Sequence, residues 1–202
     1  MTSLHRREGA APSNFARTIP AGDSELVQQM TRDPYHLEFL DLGADVAERQ
    51  LEEALVAHLQ RFLLELGAGF AFVGRQYRLT VGDEEFFVDL LFYHLRLRRY
   101  IVVELKTKPF KPEHTGQLNF YVTVIDDQLR SEDDKPTVGI LLCASHDEAV
   151  VRYALHGFDT PIAVAGFRYA DLPVDVRAAL PEDAVLNATM RSAIGPAATD
   201  PG

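Results

Sequence analysis

The chain has 202 residues, of which 47% are hydrophobic and 25% are charged, a composition typical of a soluble globular domain with a core of its own. The formal net charge of −10 argues against a protein that simply coats nucleic acid, because phosphate contacts need a basic surface. The single cysteine, Cys143, excludes a disulfide within the chain and a cysteine-rich zinc site. Without a signal-peptide pattern or a long apolar run, we expect a cytoplasmic protein that does not enter a membrane.

The first third of the chain predicts a tail followed by helices. Residues 1–24 are rich in Ala, Pro, Ser and Arg without periodicity, which indicates a flexible arm or linker. A short helix capped by Asp23 or Ser24 should follow and end before Pro34. Leucines at helical spacing over 45–66 predict a longer helix.

Three apolar runs rich in β-forming residues come next, at 70–81, 84–94 and 98–107. Their connections are short, and short connections join neighbouring antiparallel strands. The three runs therefore predict an antiparallel meander.

The second half of the chain alternates between helical and strand patterns. Residues 111–130 and 147–155 predict helices, whereas the apolar runs at 137–145 and 161–169 predict strands. A strand, a helix and a strand in succession favour a right-handed parallel crossover.

Together these elements predict an α/β protein with a central mixed sheet flanked by helices. The predicted domain occupies residues 25–183, after the arm at 1–24, and a disordered tail follows over 184–202.

Three charged residues stand inside the apolar strands: Asp89, Glu104 and Lys106. Side chains alternate along a strand, so Glu104 and Lys106 share a face. If the connecting turn is centred near residues 96 and 97, antiparallel pairing places Asp89 opposite Glu104. Two carboxylates that close repel each other, and a divalent cation such as Mg²⁺ removes the conflict. The alternative is a buried ion-pair network, which two acids and one base fit poorly.

The pattern of Asp89, Glu104, Leu105 and Lys106 resembles the signature of the PD-(D/E)XK phosphodiesterases, with Val88 in place of the usual proline. Longer stretches, such as FFVDLLFYHLRLRRYIVVELK and the segment DPYHLEFLDLG, resemble the YhcG family of bacterial proteins. The resemblance implies a restriction-endonuclease-like αβββαβ core. In that family the nuclease domain normally follows an N-terminal helical domain, which this sequence lacks. We therefore expect a fragment or a shortened member, completed by that domain or by a partner subunit.

The resemblance also implies a function, a metal-dependent endonuclease that acts on DNA with Mg²⁺ or Mn²⁺. It implies that Asp89, Glu104 and the main-chain carbonyl of Leu105 bind the metal, and that Lys106 orients the attacking water. Members of the superfamily often carry a further carboxylate on the first core helix. Glu52 matches that position and Glu53 is the second choice, although both are also ordinary residues of a solvated helix face.

Gln117 and Tyr121 resemble a Gln-x-x-x-Tyr element that lines the active site of some members of the superfamily. Their spacing puts both on one helical face, but a helix-terminal glutamine and a core tyrosine would give the same pattern. Lys108, Lys111, His114 and Arg75 are candidates for contacts with nucleic-acid phosphates, although basic residues also solvate loops. Only the fold can show whether these candidates, and the four basic residues above all, lie close to the predicted metal site.

One alternative function remains open at this point. The acidic net charge and the absent companion domain are also compatible with a catalytically inactive nuclease-fold module that mediates protein or nucleic-acid interactions. Nucleases that cut both strands often dimerise, so a homodimer is a further expectation.

Overall fold

A computed structural model of the chain describes residues 9–37, 40, 42 and 47–168. The predicted tail at 184–202 lies outside the described residues, as does the end of the predicted domain. Those two boundaries stay predictions.

The helices and strands follow one another as a helical N-terminal part, a three-stranded meander and two helix–strand units. In chain order they are β1 (Gly9–Ala10), α1 (Phe15–Thr18), α2 (Ala21–Gln29), β2 (Arg32–Asp33), β3 (Tyr35–His36), α3 (Glu48–Ala57), α4 (Leu59–Leu66), β4 (Phe70–Val81), β5 (Glu84–His94), β6 (Arg99–Lys106), α5 (Glu113–Gln128), β7 (Val138–Cys143), α6 (Glu148–Ala154) and β8 (Ile162–Arg168).

The main sheet has six strands in the order β3-β8-β7-β6-β5-β4. Strands β4, β5 and β6 form the antiparallel meander, whereas β6, β7, β8 and β3 are parallel. Helices cover both faces: α3 and α4 pack on one core cluster, and α5 packs on the other. This mixed sheet flanked by helices confirms the predicted fold class.

Burial explains why these sequences form these elements. All six residues of β7 are buried, as expected for a parallel strand covered on both faces. Helix α5 buries Leu118, Val122 and Ile125 at helical spacing, so it presents one apolar face to the sheet. Strand β6 lies inside the sheet and is shared by the antiparallel meander and the parallel strands.

The long helix predicted over 45–66 is in fact two helices. His58 adopts φ −108° and ψ 31°, outside the helical region, and separates α3 from α4. Neither proline nor glycine marks this position, so the helical spacing of the leucines did not reveal the break.

The N-terminal segment differs from the predicted flexible arm. Phe15 is fully buried and Ile19 nearly so, and Asn14 Nδ2 donates to the carbonyl of Thr160 at 2.9 Å. Helix α2 begins at Ala21, before the predicted caps Asp23 and Ser24. The cause is anchoring by a few isolated side chains, which leave no periodic pattern in the sequence.

Within the described ranges, every helix is too short or too polar to cross a bilayer.

Candidate active site

The pairing of β5 with β6 stops at the two predicted carboxylates. Leu90 pairs with Val103, so the predicted register, which places Asp89 opposite Glu104, is confirmed. Beyond that pair, the hydrogen bonds between the two strands run from backbone N–H groups to side-chain carboxylates. The Asp89 N–H donates to Glu104 Oε1 at 3.2 Å, and the Leu105 N–H donates to Asp89 Oδ2 at 2.9 Å. The two carboxylates therefore occupy the place where strand–strand hydrogen bonds would otherwise form.

Burial makes this pair difficult to ionise. Glu104 is only 2% exposed, and burial, followed by the negative charge of Asp89, raises its pKa to about 8. Burial also raises the pKa of Asp89, although the Leu105 N–H and the positive charge of Lys106 oppose that shift. Without a cation, Glu104 therefore retains a proton near neutral pH, and a cation between the carboxylates would replace it.

Lys106 lies beside the carboxylate pair. Its Nζ is 4.0 Å from Glu104 Oε2 and 3.7 Å from Glu48 Oε2. Glu48 was not among the predicted site residues. Its position one helical turn before Glu52 was the available signal, because residues four apart share a helix face.

Helix α3 brings Glu52, rather than Glu53, to the site. Glu52 is 5% exposed and accepts a hydrogen bond from Gln76 Nε2, which also donates to Asp89 Oδ1 at 3.0 Å. Burial raises the pKa of Glu52. Glu53 is half-exposed and pairs with Arg49 at 3.0 Å. The geometry thus separates two residues that the helical pattern left equivalent.

Gln76 is a contact residue that the sequence analysis missed. In the β4–β5 hairpin, Arg75 pairs with Leu90 and Tyr77 with Val88. Gln76 is therefore opposite Asp89, and the register of the hairpin turn could have indicated this.

Gln117 and Tyr121 approach the carboxylates from α5. The Gln117 amide donates to the Tyr121 hydroxyl at 3.0 Å. Burial raises the pKa of Tyr121, and the charges of Glu104 and Asp89 add to that rise, so the phenol lies within electrostatic range of the pair. Tyr121 is also a core residue, 5% exposed, while Gln117 is exposed.

The four basic candidates have different surroundings. Arg75 is exposed on β4, and its charge lowers the pKa of Glu52 against the larger effect of burial. Burial and the charge of Lys106 lower the pKa of His114. Lys111 Nζ is 3.8 Å from Glu113 Oε1. Lys108 is exposed in the loop after β6. Electrostatic effects thus connect Arg75 and His114 with the site.

The donor atoms fit one kind of metal. Among the residues that the structure describes, no three His, Cys, Asp or Glu side chains are grouped to hold an ion. Mg²⁺ does not need such a cage, since it binds through one or two carboxylates and completes its shell with water and phosphate oxygens. Asp89 and Glu104 supply such a pair. The chemistry of these donors therefore suits Mg²⁺ or Mn²⁺ rather than a structural zinc ion.

The mixed sheet and the pair of carboxylates define the chain as a PDDEXK nuclease domain. Residues 28–181 match the family model described as "YhcG PDDEXK nuclease domain", and the chain belongs to this family. It is 42% identical over 160 residues to the Escherichia coli (strain K12) protein named "Putative nuclease YhcG". The matched region is 79% of this chain and 42% of that protein, so the chain spans less than half the length of this relative.

Solved structures show a partial similarity of fold. A repair endonuclease from Pyrococcus abyssi has 19% sequence identity and a TM-score of 0.41, over 64% of this chain and 50% of the other. The apo form of EndoMS has 18% identity and a TM-score of 0.40, over 64% and 48%.

Proposed function

We propose that this domain hydrolyses phosphodiester bonds in DNA as an endonuclease that depends on Mg²⁺ or Mn²⁺. The observation that carries the proposal is the pair of Asp89 and Glu104, each held by a backbone N–H of the opposite strand, with Lys106 beside it. Membership of a nuclease family supports the reaction class. DNA as substrate and a cytoplasmic location belong to the proposal.

Phosphodiester hydrolysis needs a water in line with the leaving oxygen and compensation of the negative charge on the phosphate. The metal, when bound, supplies a Lewis acid and lowers the pKa of a bound water. Asp89, Glu104 and the main-chain carbonyl of Leu105 would hold it, and Glu52 would contact its water shell. The raised pKa of Glu104 fits this role, since the carboxyl group can lose to solvent the proton it holds in the free protein and bind a cation in its place.

Lys106 supplies a positive charge where negative charge develops. A lysine ammonium is a compact point charge that can orient a water or stabilise a phosphate oxygen. Its Nζ lies within 4.0 Å of Glu104, close to where the carboxylates would hold the metal. Gln117 and Tyr121, which bond to each other, would position the substrate or the lysine.

The surroundings of the site suggest how DNA would be held. Arg75, Lys108, Lys111 and His114 would contact phosphates on either side of the scissile bond. The net charge of −10 opposes tight binding by this chain alone. An N-terminal helical domain or a partner subunit would supply the missing affinity, and a homodimer would allow both strands to be cut.

Cleavage of plasmid and branched DNA with Mg²⁺ or Mn²⁺ tests the proposal. Asp89→Asn and Lys106→Ala should each lower the rate by about 100-fold or more, the size expected when a charge-stabilising group is removed. Asp127→Asn, at an exposed position on α5, is the matched control. Full activity in both site variants, or in the presence of EDTA, would contradict the proposal.

Calorimetric titration with Mn²⁺ separates the enzyme from an inactive interaction module. Binding to the wild-type protein that is lost in Glu104→Ala supports the enzyme. A wild-type protein that binds no Mn²⁺ and cuts no DNA would instead favour the interaction module.

A further inference from the structure

Gln76 joins two carboxylates that come from different elements. Its Nε2 contacts Glu52 Oε2 on α3 and lies 3.0 Å from Asp89 Oδ1 on β5. A side-chain amide nitrogen carries two hydrogens, so one nitrogen can donate to both acceptors at once. These contacts connect the helix carboxylate with the strand carboxylate directly.

The backbone at Gln76 is unusual for this residue type. Its φ is +43°, in the left-handed region that residues other than Gly, Asn and Asp rarely adopt. The neighbouring pairs place Gln76 opposite Asp89, and β4 carries a bulge between Phe72 and Gly74 just before it. Bulges and strained backbone in a strand tend to accompany a side chain that is aimed at a functional group.

Stability alone does not account for this arrangement. Gln76 is exposed, so if its side chain were removed, water could take the place of the amide and reach the two carboxylates. A hydrogen bond in such a place contributes little to folding, whereas the left-handed backbone opposes it. The arrangement thus has a cost to the fold without a matching gain, which points to another role.

We infer that Gln76 is a positioning residue that holds Glu52 next to Asp89, so that both carboxylates face a divalent cation in the arrangement that the nuclease reaction requires. The inference rests on the proposed function. A neutral amide suits the task, because it brings two like charges together without adding charge of its own, unlike the ammonium of Lys106. Replacing a residue that orients metal ligands in this way typically lowers metal affinity or activity by about 10-fold to 100-fold.

Binding of Mn²⁺, measured by calorimetry, tests the inference without relying on activity. Gln76→Ala and Gln76→Gly should each raise the Mn²⁺ dissociation constant by about 10-fold or more. Gly adopts a positive φ without strain, so the Gly variant should unfold in EDTA at a temperature no lower than the Ala variant. This comparison separates the lost contact from damage to the backbone.

Gln128→Ala is the matched control. Gln128 is an exposed glutamine that also contacts β4, donating to the carbonyl of Thr80 at 2.7 Å, but it has no part in the site. Its removal should leave Mn²⁺ affinity and DNA cleavage at the wild-type level.

Kinetics provide a second measurement. If Gln76 acts through the carboxylates, kcat should fall by about 10-fold in both Gln76 variants, while KM for DNA stays the same. A rise in KM with unchanged kcat would indicate a direct DNA contact and overturn the inference. Wild-type Mn²⁺ affinity in both variants would also overturn it. A wild-type protein that neither binds Mn²⁺ nor cuts DNA would overturn the proposed function as well, so the two failures are distinguishable.

Discussion

The buried carboxylate of Glu104 couples the candidate site to the stability of the protein. Its pKa rises from an ordinary value of 4.5 to about 8 in the folded chain. Between these values the folded state binds more protons at this group than the unfolded state does. The free energy of unfolding must therefore fall as the pH rises through this window, and the raised pKa of Asp89 acts in the same direction.

The first prediction concerns this pH dependence. Without metal, the free energy of unfolding should fall between about pH 5 and pH 8, with Glu104 contributing at most about 1.4 kcal/mol per pH unit. Glu104→Gln should flatten the profile, since glutamine does not titrate. Urea denaturation in EDTA measures both profiles, and Glu132→Gln, at an exposed position, is the control. An identical slope in Glu104→Gln would contradict the assignment.

The second prediction distinguishes the two neighbouring glutamates of α3. Glu52→Gln should lower nuclease activity by about 10-fold to 100-fold, as loss of a group that supports metal ligands commonly does. Glu53→Gln should leave activity unchanged and cost at most about 0.5 kcal/mol through the lost pair with Arg49. Plasmid cleavage and urea denaturation of both variants measure these effects. Equal losses of activity would contradict the roles that the geometry suggests.

The sequence predicted the contact between residues on paired strands, because strand register determines it. It did not predict the contact of Glu48 with Lys106, because that contact depends on how a helix packs against the sheet. Alternation and one hairpin turn placed Asp89 opposite Glu104. The contact of Glu48 with Lys106 depends on how α3 docks on β6, which no local pattern encodes. Gln76 lies between the two cases, because the β4–β5 register could have revealed it but its contact with Glu52 could not.

At the scale of elements, a buried charge connects the N-terminal segment with the sheet. Arg99 on β6 is 1% exposed, and its Nη2 lies 3.3 Å from Asp23 Oδ2 on α2. Lys135 contacts the same carboxylate. Within the described residues, the Nε and Nη1 of Arg99 have no hydrogen-bond partner. Asp23 is therefore the carboxylate that contacts the buried guanidinium, with the charge of Asp126 adding to the compensation, and it fastens α2 to the sheet.

The third prediction follows from this contact. Asp23→Ala should destabilise the protein by about 3 kcal/mol, because it leaves a buried positive charge without its partner. Replacing both partners, Asp23→Leu with Arg99→Met, should recover most of that loss, since apolar side chains of similar size need no counterion. Urea denaturation of the single and double variants measures both effects. A loss below about 0.5 kcal/mol in Asp23→Ala would contradict the role of this contact in fastening α2 to the sheet.

The ends of helices and strands were predictable where a single local sequence pattern defines them. Strands β4 and β5 begin and end at the predicted residues, 70–81 and 84–94, because apolar runs and a tight turn define them locally. The anchors Phe15 and Asn14 were not predictable, because they depend on contacts with distant parts of the chain. The break at His58 was not predictable either, because no proline or glycine marks it.

Taken as a whole, the molecule combines a negative net charge with a site that we propose acts on a polyanion. Its net charge is −10, while DNA carries one negative charge per phosphate. The predicted phosphate contacts near the site are few, so if the chain acts on DNA as proposed, most of the affinity must come from elsewhere. Tight and sequence-specific binding is therefore not expected of this chain by itself.

The fourth prediction makes this quantitative. At physiological salt, the cleavage-deficient Asp89→Asn variant should bind duplex DNA with a dissociation constant of roughly 1 μM or weaker, in the range of non-specific binding. Lys108→Ala with Lys111→Ala should weaken binding equally for all sequences and lower the salt slope by about two. Fluorescence anisotropy at several salt concentrations measures both. Nanomolar binding by this chain alone would contradict the prediction.

The opening between β5 and β6 has a consequence for the evolution of this domain. Two main-chain N–H groups, those of Asp89 and Leu105, point at carboxylates where a regular ladder would have carbonyl groups. A sheet without the two acids could continue its ladder through this region. Asp89→Val with Glu104→Val should therefore raise the melting temperature in EDTA while nuclease activity is lost, a trade-off that calorimetry and plasmid cleavage would reveal together. A lower melting temperature would show that the opening stabilises the fold. A higher melting temperature would mean that relatives of this domain no longer selected for nuclease activity could gain stability by restoring the hydrogen bonds between β5 and β6.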